Sequence, residues 1–216
     1  MSLHIFGPGF STLVRSVRLY CEEKGLDYTY GMVVQGQPVE WHSEVHRAYH
    51  PFGKVPVLFH AGGHIFETRA ICRYLDAAFP ERTHLPPDLA ARTEIDQWSS
   101  ALATSVDERL VRNYLLLVGG PNPPKTVDPS LLARAESRVE ATLAILDEQL
   151  GERSFICGDR YSVADALLTP MLDYLVATAR PASWLDPWPR LCNYLECMRA
   201  RPSGRAVLAA VDINAG

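Results

Sequence analysis

The sequence lacks any long run of basic residues, and its 216 residues carry a formal net charge of −4 at pH 7. Proteins that bind nucleic acid usually present a basic patch or a positive net charge. We therefore expect no nucleic-acid partner. Internal repeats and low-complexity segments are also missing from the sequence, so ordinary globular domains are expected.

Segments typical of secreted or membrane proteins are missing as well. The N-terminus has no basic stretch followed by an apolar one, and the most apolar segment, residues 161–179, is interrupted by Asp165, Pro170 and Asp173. A membrane-spanning helix needs about 20 consecutive apolar residues. We therefore expect neither secretion nor a transmembrane helix.

Cysteine is scarce, and its pattern is not that of a disulfide or zinc protein. The chain has five cysteines, an odd number, which are widely spread and form no CxxC motif. This pattern argues against both a disulfide framework and a zinc ribbon. A reducing cytoplasm fits it best, so we expect a cytoplasmic protein. Hydrophobic residues make up 47% of the chain, enough for the cores of one or two domains.

The most informative segment is residues 51–75, PFGKVPVLFHAGGHIFETRAICRYL. Residues 55–59 read as a strand, residues 61–63 as a turn and residues 65–66 as a second strand, which predicts a β-hairpin. Pro56 lies at the start of the first strand, where a proline is tolerated. A cis Val55–Pro56 bond would make a special turn at this point.

A helix is predicted directly after the hairpin, with Thr68 as its candidate N-cap. The unpaired N–H groups at a helix start suit a carboxylate, and the Thr68 hydroxyl would add a donor. Glu67 could hold an ammonium group, so this turn could bind the head group of an α-amino acid. The free N–H and C=O of Val55 could pair with a peptide backbone. The alternative is a capped helix without a ligand.

The motifs KVPVL and FETRAI resemble the thioredoxin-fold half of the cytosolic glutathione transferases. In that family a Val-Pro pair with a cis proline is followed by a Glu-Ser or Glu-Thr pair that binds the γ-glutamyl group. The resemblance covers most of the chain. It implies glutathione as co-substrate with no metal or other cofactor, and it implies four glutathione-binding residues: Val55, Pro56, Glu67 and Thr68.

The order of the predicted elements agrees with this resemblance. Strand, helix and strand over residues 3–32, a polar connection over residues 35–50, and the hairpin and helix give a βαβ-ββα unit by about residue 79. A proline-rich linker follows, and helices are predicted from then on, over residues 89–118, 132–150, from 162 onward, 189–198 and 203–211. The fold class implied is a thioredoxin-like domain (1–79), a linker (80–88) and an all-helical domain (89–216). Ser162 and Asp165 form a capping box with a structural role.

The candidate catalytic residues stand where the first helix begins. A free thiol titrates near 8.5, so glutathione needs help to ionise, and a hydroxyl at a helix N-terminus can stabilise the thiolate. In the serine-type members of the family, including the phi-like ones, the serine precedes an Arg-x-Val. Counting back from Arg15 and Val17 indicates Ser11, with Thr12 as the near alternative. Either hydroxyl could instead be a plain N-cap. A tyrosine-type member of the family would need a tyrosine near Phe6, and a cysteine-type member a cysteine near Ser11, and the sequence has neither.

Lys54 lies at the position that reaches the glycine carboxylate in the family. The phi-like pattern has a His-Lys pair in the connection before PFG, whereas this chain has Glu40-Trp41-His42, so His42 is the candidate there. His42, His46 and His50 are spaced four residues apart and would share one face of a helix. No nearby cysteine or aspartate completes a ligand set, so no metal site is expected.

The second substrate should bind between the loop of residues 7–10 and the first long helix. Phe10, Val106, Leu110 and Tyr114 are the candidate apolar residues of this site, although most of the helix residues must belong to the core. The predicted activity is conjugation of the glutathione thiolate to a small hydrophobic electrophile. The alternatives are a glutathione-dependent isomerase of the maleylacetoacetate type and a non-catalytic glutathione-binding module.

Phe52 is an aromatic residue in the loop before Val55, with little of its own domain to pack on. In several glutathione transferase classes an aromatic at this position inserts between helices of the partner's second domain. The resemblance therefore implies a homodimer that uses the Phe52 loop and the first long helix. The alternative is that Phe52 folds under its own hairpin.

Overall fold

The computed structural model describes residues 2–119, 123–178 and 182–208. The strands are β1 Leu3–Phe6, β2 Tyr28–Gly31, β3 Val33–Val34, β4 Gln37–Pro38, β5 Val57–His60 and β6 Gly63–Phe66. The main sheet has four strands in the order β2-β1-β5-β6, with β2 parallel to β1 and the other two pairs antiparallel. A separate pair, β3 and β4, forms a small hairpin.

Helices alternate with the strands in the first half of the chain, and helices alone make up the second half, as the sequence predicts. The predicted βαβ-ββα order and the all-helical second half are both confirmed. In the first half the helices are α1 Thr12–Glu23, α2 Glu44–Tyr49 and α3 Thr68–Ala78, followed by a 3₁₀ turn at Pro80–Arg82. In the second half they are α4 Leu89–Ala101, a π-helical stretch Leu102–Leu115, α5 Leu116–Val118, α6 Pro129–Leu150, α7 Val163–Val176, α8 Pro189–Ala200 and α9 Pro202–Val207.

Two helix predictions differ in detail from the structure. The last helix was expected over residues 203–211, but α9 ends at Val207, and residues 209–216 lie outside the described part of the chain. Residues 89–118 form one continuous helical rod, as predicted. Its middle section, Leu102–Leu115, has π-helical hydrogen bonding in place of the α-helical pattern. The sequence also predicts that Gly119 and Gly120 break this helix, and of the two only Gly119 is among the described residues.

The connection over residues 35–50 has more structure than its polar composition indicates. Gln35 and Gly36 both have positive φ, +51° and +78°, which is the conformation that a tight hairpin turn requires. Further along, the Ser43 side chain caps α2 by accepting the N–H of His46 at 3.1 Å. The connection therefore carries the β3–β4 hairpin and a short helix.

Helix α7 is the centre of the second half. Its N-terminus has the predicted capping box: the Ser162 hydroxyl accepts the N–H of Ala164 at 3.2 Å, and Asp165 accepts the N–H of Ser162 at 2.9 Å. Asp165 also accepts the N–H of Ile156 and the hydroxyl of Tyr194. Burial raises the pKa of Asp165 to about 6. All the residues from 161 to 173 are buried, as expected for a central helix.

Helix α1 joins the two halves. On one side Val14, Val17 and Cys21 are fully buried against the core. On the other side Arg15 pairs with Asp173 of α7 at 3.1 Å, and both residues are buried. A buried charge is costly unless it is paired, so this ion pair fixes how α1 and α7 face each other.

The cysteines are spread over both halves and differ in exposure. Cys21, Cys72 and Cys157 are buried, Cys192 is half-buried and Cys197 is exposed. Burial raises the pKa of Cys21 to about 12 and also raises the pKa values of Cys72 and Cys157. None of the helices in the described ranges is both long and apolar enough to span a bilayer.

The buried capping box can be tested against an exposed cap. We expect Ser162→Ala to lower the free energy of unfolding by about 2 kcal/mol, because it leaves the buried N–H of Ala164 without a partner and removes a hydrogen bond to Asp165. The matched control is Asp128→Ala at the N-terminus of α6, where the carboxylate caps Ser130 and Leu131 in solvent and water can replace it. Urea unfolding measures both variants. Equal losses would contradict a special contribution from burial.

Candidate functional site

The sheet register brings three separate segments to one edge. Phe6 pairs with Val57, and Val57 pairs with Phe66. Because β5 is antiparallel to both of its neighbours, the end of β1, the start of β5 and the end of β6 lie side by side. The segments that continue from these points are residues 7–12, residues 54–56 and residues 67–68.

Gly7 allows two of these segments to approach closely. Its φ is +145°, and a Cβ there would lie 3.0 Å from the Cβ of Val55 and would overlap the side chain of Val14. Any other residue would push the loop before α1 away from Val55. The sequence alone does not explain why this position is a glycine. The reason is the close tertiary contact with Val14 and Val55.

The Val55–Pro56 peptide bond is cis, as predicted. Val55 lies just before β5, and within the described residues neither its N–H nor its C=O takes part in a backbone hydrogen bond. Val55 is half-buried, so solvent and ligands can reach it. A second peptide could therefore pair with both groups.

The prediction that Thr68 caps α3 is wrong. Glu67 occupies the N-cap position with φ +69°, and it makes no side-chain capping bond. Thr68 is the first residue of the helix; it is 4% exposed, and its Oγ1 is buried without a hydrogen-bond partner. The sequence cue fails because the chain turns one residue earlier, on Glu67.

This turn has the properties of an anion site. A non-glycine residue with positive φ is costly and often marks a functional position. A buried hydroxyl without a partner is also costly unless a ligand completes it. Thr68 Oγ1 and the free N–H groups of the first turn of α3 lie together. Glu67 is exposed beside them, with its carboxylate free for a cation.

Ser11 is the N-cap of α1. Its Oγ accepts the N–H of Val14 at 3.4 Å, and its C=O accepts the N–H of Arg15 at 2.9 Å. The capping bond uses a lone pair, so the hydroxyl proton remains free to be donated. Ser11 is half-buried, whereas Thr12 is buried within the first turn. These positions favour Ser11 over Thr12 as the residue that a ligand can reach.

Lys54 and His42 are both exposed, and the side chain of His46 forms hydrogen bonds with the backbone of both. His46 is fully buried; its Nδ1 accepts the N–H of His42 at 3.1 Å, so its Nε2 carries the proton and donates to the C=O of Lys54 at 3.0 Å. His46 thus supports the residue before Val55. The sequence gives no direct signal of this role.

The three histidines do not share a helical face. His42 precedes α2 with φ +58°, and His50 is the residue after its end. Among the described residues, no group of three or more His, Cys, Asp or Glu side chains is arranged to hold a metal ion.

The candidate residues for the second substrate are not all on an open surface. Phe10 is half-buried in the loop before α1. Val106, Leu110 and Tyr114 belong to the buried core, and the Tyr114 hydroxyl accepts Nε1–H of Trp184 at 3.1 Å. The expectation that these three helix residues line the site is corrected, because α6 and α7 cover that face of the rod. Phe10 remains a candidate.

Family profiles match both halves of the chain. The profile described as the glutathione S-transferase N-terminal domain matches residues 6–83, and the one described as the C-terminal domain matches residues 129–197. Glutathione S-transferase F10 of Arabidopsis thaliana is 30% identical over 218 residues, which covers 99% of this chain and 99% of that protein. Protein LigF of Sphingobium is 25% identical over 94% of this chain and 91% of its own length.

Solved structures agree with the sequence comparisons. Poplar glutathione transferase F1 superimposes with a TM-score of 0.83 at 24% identity and covers 96% of this chain and 97% of its own. The theta class glutathione S-transferase of Xanthomonas axonopodis pv. citri gives a TM-score of 0.78 at 23% identity, over 97% of this chain and 98% of its own. At such identities the likeness shows the fold. Together with the full-length relative at 30% identity, it establishes that this chain belongs to the glutathione S-transferase family.

Proposed function

We propose that the chain conjugates the thiol of glutathione to a small hydrophobic electrophile, and that Ser11 stabilises the thiolate. Glutathione S-transferase is the activity that the full-length relatives are named for. The observation that supports the residue assignment is the meeting of Ser11, Val55 and the Glu67–Thr68 turn at one edge of the sheet.

The order of these groups matches the order of groups in glutathione. The γ-glutamyl carboxylate would lie at Thr68 and the first turn of α3, and its ammonium at Glu67. The cysteinyl backbone would pair with Val55 at the cis Pro56 turn. The loop of Ser11 follows β1, which is the neighbour of β5, and adjacent strands are about 4.8 Å apart. The cysteine side chain would therefore point toward the loop of Ser11.

Lys54 and His42 are the proposed residues for the glycine end. Both are exposed beside the turn that presents Val55. The His42 ring lies against Gly53, where a Cβ would come 2.8 Å from its Nδ1. A lysine ammonium beside a carboxylate is a favourable ion pair in this setting, although exposure limits its strength.

The Ser11 hydroxyl acts on the charged form of the thiol. Its O–H donates a hydrogen bond to the sulfur, and the positive end of the α1 dipole lies beside it, so the thiol loses its proton to water more readily. Each unit by which the thiol pKa falls requires about 1.4 kcal/mol of extra stabilisation of the thiolate. The thiolate then attacks the electrophile, a sulfur–carbon bond forms, and the leaving group or an opened ring takes the electron pair. Phe10, next to Ser11, offers an apolar surface for the electrophile.

We also propose a homodimer in which the Phe52 loop contacts the helical half of the partner. The Phe52 side chain is 72% exposed, so it does not fold under its own hairpin. Leu89, Leu116 and Val118 on the first long rod are exposed apolar residues as well. A large exposed aromatic on a prominent loop commonly marks a contact surface.

The thiolate role can be tested with Ser11→Ala. We expect the thiol pKa of bound glutathione to rise and kcat to fall about tenfold, with nearly unchanged glutathione affinity, because the lost hydrogen bond acts on the thiolate. Thiolate absorbance against pH measures the first effect. Thr12→Val is the matched control and should keep both values. The reverse result, with Thr12 sensitive and Ser11 insensitive, would move the assignment by one residue.

The γ-glutamyl subsite can be tested with Thr68→Val. The Thr68 hydroxyl has no partner in the free protein, so this isosteric change should leave the free energy of unfolding unchanged or raise it. Glutathione binding should weaken about tenfold, because a hydrogen bond to a carboxylate is lost.

The control for Thr68→Val is Thr169→Val. The Thr169 hydroxyl donates to the C=O of Asp165 at 2.7 Å within α7. This variant should lose stability and keep glutathione affinity. Calorimetry and urea unfolding report the two quantities. Unchanged affinity in Thr68→Val would reject the subsite, whatever the effect on stability.

The dimer can be tested with Phe52→Ser. Analytical ultracentrifugation at low micromolar concentration should show a shift from dimer to monomer, because the loop loses its apolar contact. Val45→Ser on α2, where the valine is 50% exposed, is the control and should leave the mass unchanged. A fully dimeric Phe52→Ser protein would remove Phe52 as the anchor of the interface.

A further inference from the structure

The peptide group between Phe10 and Ser11 is held at both of its ends. The N–H of Ser11 donates to the C=O of Pro8 at 3.1 Å. The C=O of Phe10 accepts the hydroxyl of Tyr174 at 2.7 Å. The first bond is local to the loop, whereas the second comes from α7 in the helical half. The plane of this peptide therefore depends on a residue far away in the sequence.

Tyr174 is itself held in place by its surroundings. The guanidinium of Arg15 lies 4.5 Å from the centroid of its ring. Arg15 pairs with Asp173, the residue before Tyr174, and Asp173 also pairs with Arg199 of α8 at 2.7 Å. The ring thus lies between α1 and α7 at the point where a buried ion pair joins them. Burial raises the pKa of Tyr174, so its hydroxyl stays protonated and can donate the hydrogen bond to Phe10.

We propose that Tyr174 is a positioning residue for the reaction, which aims the Ser11 hydroxyl at the glutathione thiol by fixing the Phe10–Ser11 peptide. The inference rests on the proposed role of Ser11. Rotation of this peptide would swing the Cα–Cβ bond of Ser11, and with it the direction in which Oγ donates. Catalytic groups lose effect when they are displaced by about 1 Å, so a bond that holds the peptide acts on the reaction.

The effect on the reaction should be separable from stability. Phe10 is half-buried, so water can satisfy its C=O when the tyrosine hydroxyl is removed. The ring of a phenylalanine would keep the contact with Arg15 and the packing between α1 and α7. Tyr174→Phe therefore removes the one hydrogen bond and little else.

The test compares Tyr174→Phe with the unchanged protein. The expected result is a higher thiol pKa for bound glutathione and a fall in kcat of about threefold or more, with KM for glutathione nearly constant. The pH profile of kcat should shift toward higher pH in the same direction. The thermal midpoint should stay close to that of the unchanged protein.

Tyr194→Phe is the matched control. Its hydroxyl donates to Asp165 at 3.0 Å and lies 3.4 Å from that of Thr169, so its loss removes buried hydrogen bonds in the same half of the chain. This variant should be less stable and should keep the thiol pKa and the pH profile when it is assayed below its unfolding transition. Such a result would separate positioning of Ser11 from a general loss of stability.

Ser11→Ala, measured in parallel, separates the two possible failures. If Ser11→Ala raises the thiol pKa and Tyr174→Phe does not, the positioning role is overturned and the role of Ser11 remains. If neither variant changes the thiol pKa, the proposed role of Ser11 fails and the inference fails with it. If Tyr174→Phe and Tyr194→Phe lose stability alike and keep the thiol pKa, Tyr174 is only structural, which also overturns the proposal.

Discussion

Helix α1 is buried on two sides, and the way in which the two halves of the chain pack together depends on this constraint. A helix that packs on a sheet normally turns its polar face to water. Here the outer face meets α7, so Arg15 must find Asp173 in the interior. The same helix begins at Ser11. The position of Ser11, the proposed hydrogen-bond donor to the thiolate, is therefore set by the sheet on one side and by the helical half on the other.

Much of the fold could be predicted from the sequence because its signals are local. The hairpin from Val57 to Phe66 and the capping box at Ser162 are specified by short-range chemistry, namely turn residues and a side chain that reaches its own helix. The connection over residues 35–50 was harder to predict. Its strands are two residues long and α2 has six, so tertiary contacts decide whether they form.

The candidate site was predicted in outline, and its errors have physical causes. Periodicity identifies the apolar face that contains Leu110 and Tyr114, but it does not tell which element covers that face, and here other helices do. The side-chain type of Thr68 led to its prediction as the N-cap of α3, whereas in the structure the backbone turn places Glu67 at that position. Tyr174 meets Phe10 across 164 residues, and no local pattern marks such a bond.

The uneven exposure of the cysteines determines which of them can undergo disulfide exchange with glutathione. Disulfide exchange requires a thiolate that the attacking disulfide can reach. Cys21, Cys72 and Cys157 are buried, and burial raises the pKa of each, so oxidised glutathione meets none of them in reactive form. Cys197 is the exposed one. Three of the five cysteines are thus protected from disulfide exchange with oxidised glutathione.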